Sequence, residues 1–146
     1  MIGILWIARA LALIGFLDAT YLTATHYGAG SLACGPGGGC DAVTTSQYAT
    51  VAGVPIALLG LIYYMVVNLI VWTPVSGWNR GLGIAFVAIT GIAVTASAVF
   101  VYLQAVVIDA WCRYCLVSAG VSLGLLLTAL ALHRNPPQEN LADEPV

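Results

Sequence analysis

Four cysteines in two close pairs carry the chemistry legible in this chain. Cys112 and Cys115 stand in Trp-Cys-Arg-Tyr-Cys, at the start of a long apolar run. Cys34 and Cys40 bracket the Gly-rich stretch Cys-Gly-Pro-Gly-Gly-Gly-Cys, between two other apolar runs. A CxxC spacing brings two thiols onto one helical turn, where the helix N-terminus and nearby positive charge favour a thiolate. The thiolate is the species that attacks a disulfide. Two such pairs in a chain otherwise made of apolar runs point to thiol–disulfide exchange at a membrane surface.

The elements that position these cysteines follow from composition. Of 146 residues, 61% are hydrophobic and 7% charged. Soluble domains carry about 25% charged residues, so lipid is the better solvent for this chain. Lysine is absent and the net charge is -2, which gives nucleic acid nothing to hold. Four apolar segments run from about Ile2 to Tyr27, Pro55 to Trp72, Leu82 to Val107 and Cys112 to Leu132. Each approaches or exceeds the roughly 20 residues that cross a bilayer as a helix. The expected fold is an all-α membrane protein, a four-helix bundle with an outer cysteine-bearing loop and a short surface helix. Residues 1–134 form its one domain, and 135–146, with Pro-Pro and then acidic residues, read as a disordered tail. A cleaved signal peptide is the other reading of the first segment. Asp18 in its middle and Arg9 well inside it argue against that.

Four spans place both termini on one side. Arg9, Arg80 and Arg134 fall on that side and mark it as cytoplasmic by the positive-inside rule. The loop from Gly28 to Val54 and the turn around Asp109 then lie outside, with all four cysteines, in the compartment where disulfides form. Gly28 to Gly39, with Pro36, reads as mobile. The stretch after Cys40 reads as a brief surface helix with Asp41 as N-cap, and Gly53 and Pro55 mark the start of the second span.

Other readings compete for the same residues. The CxxC thiols also suit plain packing, and Cys34–Cys40 also suits a structural loop staple. A four-cysteine zinc site wants two tight knuckles, and the first pair is too widely spaced. No His follows Cys115, which excludes c-type haem attachment. Arg113 either supports a thiolate or snorkels to headgroups. Asp18 is an intramembrane carboxylate, functional by default, or neutral and hydrogen-bonded to a neighbouring helix. His26 reads as structural. Gly120 and Gly124 read as a close-packing GxxxG face, and Tyr63, Tyr64 and Trp72 as an interfacial and packing set.

Together these residues resemble the bacterial and archaeal branch of the vitamin K epoxide reductase family. The carriers are Leu-Ile-Gly-Phe-Leu-Asp-Ala-Thr-Tyr-Leu-Thr at 13–23 and Cys-Asp-Ala-Val-Thr-Thr-Ser-Gln-Tyr-Ala-Thr at 40–50. Gly-Val-Pro-Ile-Ala-Leu-Leu-Gly-Leu-Ile-Tyr-Tyr at 53–64 and Trp-Cys-Arg-Tyr-Cys-Leu-Val-Ser-Ala at 111–119 complete them. The resemblance implies a four-helix bundle around a quinone of the menaquinone or ubiquinone type. Its members pass electrons from a thioredoxin-like partner to the quinone through two cysteine pairs. Carried over, Cys34 meets the partner, Cys40 exchanges with Cys112, and Cys115 faces the quinone ring. Ser46 matches a serine near the active site, and Ala119 takes a quinone-pocket position. Two departures stand out. Animal members that reduce the epoxide carry Tyr where this chain has Ala119 and Asn where it has Ile56. Ordinary quinone reduction is therefore favoured over epoxide reduction. With no fused thioredoxin-like domain in 146 residues, the expected partner is a separate DsbA-like protein. The implied activity is that of a quinone-dependent thiol oxidase in the cell membrane.

Overall fold

A computed structural model describes residues 2–28, 30, 32–35 and 39–137. The expected tail beyond 137 and the most glycine-rich part of the loop, 36–38, lie outside the described residues. Four apolar helices dominate: α1 (Ile2–His26), α3 (Ile56–Val71), α4 (Arg80–Tyr102) and α5 (Arg113–Arg134), with α2 (Cys40–Thr44) between the first two. The chain is an all-α membrane bundle. Three of the four helices are long and apolar enough to cross a membrane, and α3 is shorter at 16 residues.

Each boundary has a local cause. The side chain of Asn79 caps α4 by accepting from the Leu82 amide at 2.9 Å, so this helix starts two residues before the expected Leu82. It then widens into a π-helical turn, Leu103–Ile108, that ends at Asp109 in the left-handed conformation, φ 52. Cys112 is the N-cap of α5. The expected N-cap of α2 is corrected. Gly39 holds that position, and Asp41 lies inside the first turn. Pro55 marks the start of α3 as expected, and the approach to it forms a minimal antiparallel pair, β1 (Thr50–Val51) and β2 (Val54–Pro55). Its two-residue loop, Ala52-Gly53, has φ of 50 and 81. Positive φ at both positions matches the handedness of a tight hairpin.

Helix α1 packs along α3 and α5, and α4 packs along α5, whereas α3 and α4 meet only sparsely. The core holds Tyr64, Val67, Phe86, Leu125 and Leu132. A Cβ on Gly15 would fall inside the Tyr64 ring, so this glycine lets α1 and α3 approach. The GxxxG expectation holds for only one of its two residues. A Cβ on Gly124 would come within 3.0 Å of Leu11, whereas nothing lies near Gly120. At the far end, Arg9 donates to the Val71 carbonyl at 3.0 Å. Its guanidinium also lies 4.9 and 4.8 Å from the Trp6 and Trp72 rings. A cation there complements the C-terminus of α3. The flanks expose Leu17, Leu69, Ile92 and Leu127, as lipid-facing surfaces do.

Candidate functional site

Both cysteine pairs meet at one end of the bundle. Cys34 and Cys40 are joined as a disulfide, with Cα atoms 6.1 Å apart, whereas Cys112 and Cys115 are free thiols. Cys34, Cys40 and Cys112 are buried in one cluster with Leu22 and Leu32, and Cys115, Tyr21 and Tyr114 pack against it. The approach of the pairs depends on Gly39. A Cβ there would come 2.6 Å from the Ala110 Cβ and 3.1 Å from the Trp111 amide nitrogen. The bare backbone before Cys40 therefore rests on the turn before Cys112.

Cys112 is held from both sides. Its amide donates to the side-chain carbonyl of Gln104 at 2.8 Å, and its sulfur accepts from the Cys115 amide at 3.3 Å. Gln104 is itself buried in the π-helical turn, and its backbone carbonyl accepts from the Ala110 amide at 3.1 Å. The Cys112 thiol is pushed down from its ordinary value to about 7. The main cause is a hydrogen bond from the Cys115 thiol, helped by the backbone amides of Cys115 and Tyr114 and opposed by burial and the Asp18 charge. Arg113 is exposed, and its guanidinium reaches toward Gly35 beside Cys34. It is not among the groups that lower Cys112.

Beyond the thiols lies a cavity of about 670 Å³ between α1, α3, α4 and α5. Cys115 stands in its wall, Ser46 and Tyr48 lie toward the hairpin, and Ser118 and Ser122 continue the α5 side. Leu59, Ile62 and Ile92, which also line it, are exposed on the bundle's flank. The cavity therefore opens sideways between α3 and α4. Its wall is largely apolar and its volume suits a small aromatic ligand. The Ser46 hydroxyl donates to the Val43 carbonyl at 2.7 Å. Ala119 is half-buried on α5 and stands off the cavity, which takes Ser118 and Ser122 from that helix instead. Ile56 does line it.

Several functional features escaped the sequence reading. Cys34 is buried rather than presented on a mobile loop. The amide of its neighbour Ala33 donates to the Tyr21 hydroxyl at 3.1 Å, and the Tyr114 hydroxyl donates to the Ala33 carbonyl at 3.2 Å. Tyr63 and Tyr64, read as packing residues, line the cavity. The Tyr64 hydroxyl lies 2.9 Å from that of Ser118 and 3.2 Å from that of Ser122. For Asp18, the expected hydrogen bond to a neighbouring helix is not seen at Oδ2, which is buried without a partner among the described residues. Gln104 had a signal, being the one carboxamide in its own apolar run, Leu82 to Val107. A buried amide demands a partner.

The arrangement can pass a disulfide between neighbouring pairs and present one thiol, Cys115, to a ligand in the cavity. The family model described as "Vitamin K epoxide reductase family" matches residues 6–130. The "Thiol-disulfide oxidoreductase LTO1" of Arabidopsis thaliana is 36% identical, over 78% of this chain and 32% of that protein. The chain thus spans about a third of that relative's length. With a family match that covers most of its residues, the chain belongs to the vitamin K epoxide reductase family.

Proposed function

We propose that this protein is a thiol oxidase that re-oxidises a thioredoxin-fold, DsbA-like partner at the expense of a membrane quinone of the menaquinone or ubiquinone type. The observation that carries the reading is the continuous path from a Cys34–Cys40 disulfide, packed against Cys112, to Cys115 in the wall of a lipid-facing cavity.

The partner's dithiol attacks the Cys34–Cys40 disulfide. The partner becomes a disulfide, and Cys34 and Cys40 become thiols. Cys40 then attacks a Cys112–Cys115 disulfide at Cys112 and releases the Cys115 thiolate. Cys34 resolves the Cys40–Cys112 bond and regenerates its own disulfide. The quinone, when bound, supplies the two-electron acceptor that no side chain provides. The Cys112–Cys115 dithiol gives up two electrons and two protons and closes as a disulfide again. Gln104 holds the Cys112 amide, and the Cys115 amide holds the Cys112 sulfur. The cysteine end faces outward and the termini and Arg80 face the cytoplasm, in keeping with Arg9, Arg80 and Arg134 at the opposite end.

Ile56 lines the cavity where epoxide-reducing relatives carry Asn. That supports plain quinone reduction over epoxide reduction. The test is oxidation of a reduced thioredoxin-fold protein by the purified protein, with and without added quinone. Thiol loss should require both quinone and Cys115. Equal rates without quinone, or with Cys115→Ser, would sink the reading.

A further inference from the structure

The clamp on Ala33 joins the two cysteine pairs through groups outside the relay. Ala33 is the residue before Cys34. Its amide is held by Tyr21 from α1 and its carbonyl by Tyr114 from α5, at 3.1 and 3.2 Å. The two rings contact each other, with centroids 5.2 Å apart and planes at 57°. Tyr114 lies between Cys112 and Cys115, so the clamp ties the segment that carries Cys34 to the first turn of α5. Beneath it, Cys34 is 5% exposed and Cys40 0%. An attacking thiolate needs a path to a sulfur, and neither cysteine of this disulfide is open to one here.

We propose that Tyr21 and Tyr114 are positioning residues that hold the Cys34–Cys40 disulfide against Cys112 and shield it from outside thiols. Release of Ala33 opens the disulfide to a partner, and recapture returns Cys40 to Cys112. Buried groups react through local opening, at a rate set by the opening equilibrium. Loss of one clamp bond therefore raises the open fraction, and loss of both raises it further. The internal arm of this proposal rests on the relay described above. The shielding arm does not.

The test uses Tyr21→Phe, Tyr114→Phe and the double variant, each keeping its ring. The first measurement is the rate at which dithiothreitol reduces Cys34–Cys40 in the detergent-purified protein. It should rise about threefold for each variant and about tenfold for both, the scale of solvent-facing hydrogen bonds. The second is formation of the Cys40–Cys112 disulfide in a background with Cys34→Ser and Cys115→Ser, which should be slower in the double variant, where the open state is most populated. The third is thermal unfolding of the bundle, which should stay unchanged. Unchanged dithiothreitol rates would overturn the proposal, as would faster reduction that merely tracks a loss of thermal stability. Faster reduction with no Cys40–Cys112 disulfide even in the parent background would overturn the internal arm and the relay together while leaving the shield standing.

Discussion

The amide of Cys112 donates to the Gln104 side chain across a turn that is neither α-helical nor extended. Gln104 can reach it because the π-helical turn, Leu103–Ile108, carries its side chain back under the start of α5. Gln104→Leu keeps the volume and removes the acceptor. A buried N–H left unpaired costs about 1–3 kcal/mol. Thermal or denaturant unfolding in detergent should show that loss, and a variant as stable as the parent would refute the anchoring role.

The Cys112 thiol should titrate with a midpoint of about 7. Its folded value is lowered, so raising the pH through this point fills the thiolate, and below it the thiolate fraction falls about tenfold per pH unit. Cys115→Ala removes the leading cause and should move the midpoint up toward the ordinary thiol value. Ultraviolet thiolate absorbance of protein with Cys34–Cys40 still oxidised reads both. A midpoint that ignores Cys115 would show that the Cys115 thiol does not set it.

Gly39→Ala should separate the pairs without breaking either. Its methyl would press on Ala110, and overpacking of this kind typically costs about 1–3 kcal/mol. The Cys34–Cys40 disulfide should still form, while exchange between pairs slows about fivefold or more, since about 1.4 kcal/mol is tenfold and 1 kcal/mol about fivefold. Mass spectrometry of disulfide-linked peptides over time measures this. Undiminished exchange would mean the close contact at Gly39 is incidental.

A trapped intermediate should link Cys40 to Cys112. Exchange between two pairs passes through a mixed disulfide, and Cys34→Ser with Cys115→Ser removes both thiols that would resolve it. Only free thiols in folded, oxidant-treated protein would end the relay reading.

Orientation is measurable with single cysteines in a cysteine-free background. Val51→Cys, on the exposed hairpin, should react with an impermeant maleimide in intact cells. Ser76→Cys, in the loop before α4, should react only after permeabilisation. The reverse pattern would invert the topology.

The bundle was legible because length and hydropathy suffice to call apolar spans, and the observed helices differ from the expected runs by a few residues at most ends. The motif cysteines were legible as chemistry, and their pairing into one cluster followed from both loops lying at one end. What stayed hidden depends on contacts between elements. Ala52 in the left-handed region gives no warning in sequence, because the residue itself disfavours it. Ala119 stood off the cavity because helical phase, not distance from Cys115 along the chain, decides which α5 residues face inward. Cys34 was expected to be mobile from its glycines, and the two tyrosine hydroxyls that bind its neighbour come from residues 12 and 81 positions away.

The brevity of α3 shapes the surrounding lipid. At about 1.5 Å per residue, its 16 residues reach about 24 Å, short of a hydrocarbon core about 30 Å thick. A short span is accommodated by bilayer thinning and by sinking its flanks. The hairpin ahead of α3, with exposed Val51 and Val54, is then expected to settle among the headgroups. The leaflet is pinched beside the same helix that forms one jamb of the sideways opening. A hydrophobic ligand entering by that opening would have less acyl chain to cross beside α3 than beside the three longer helices.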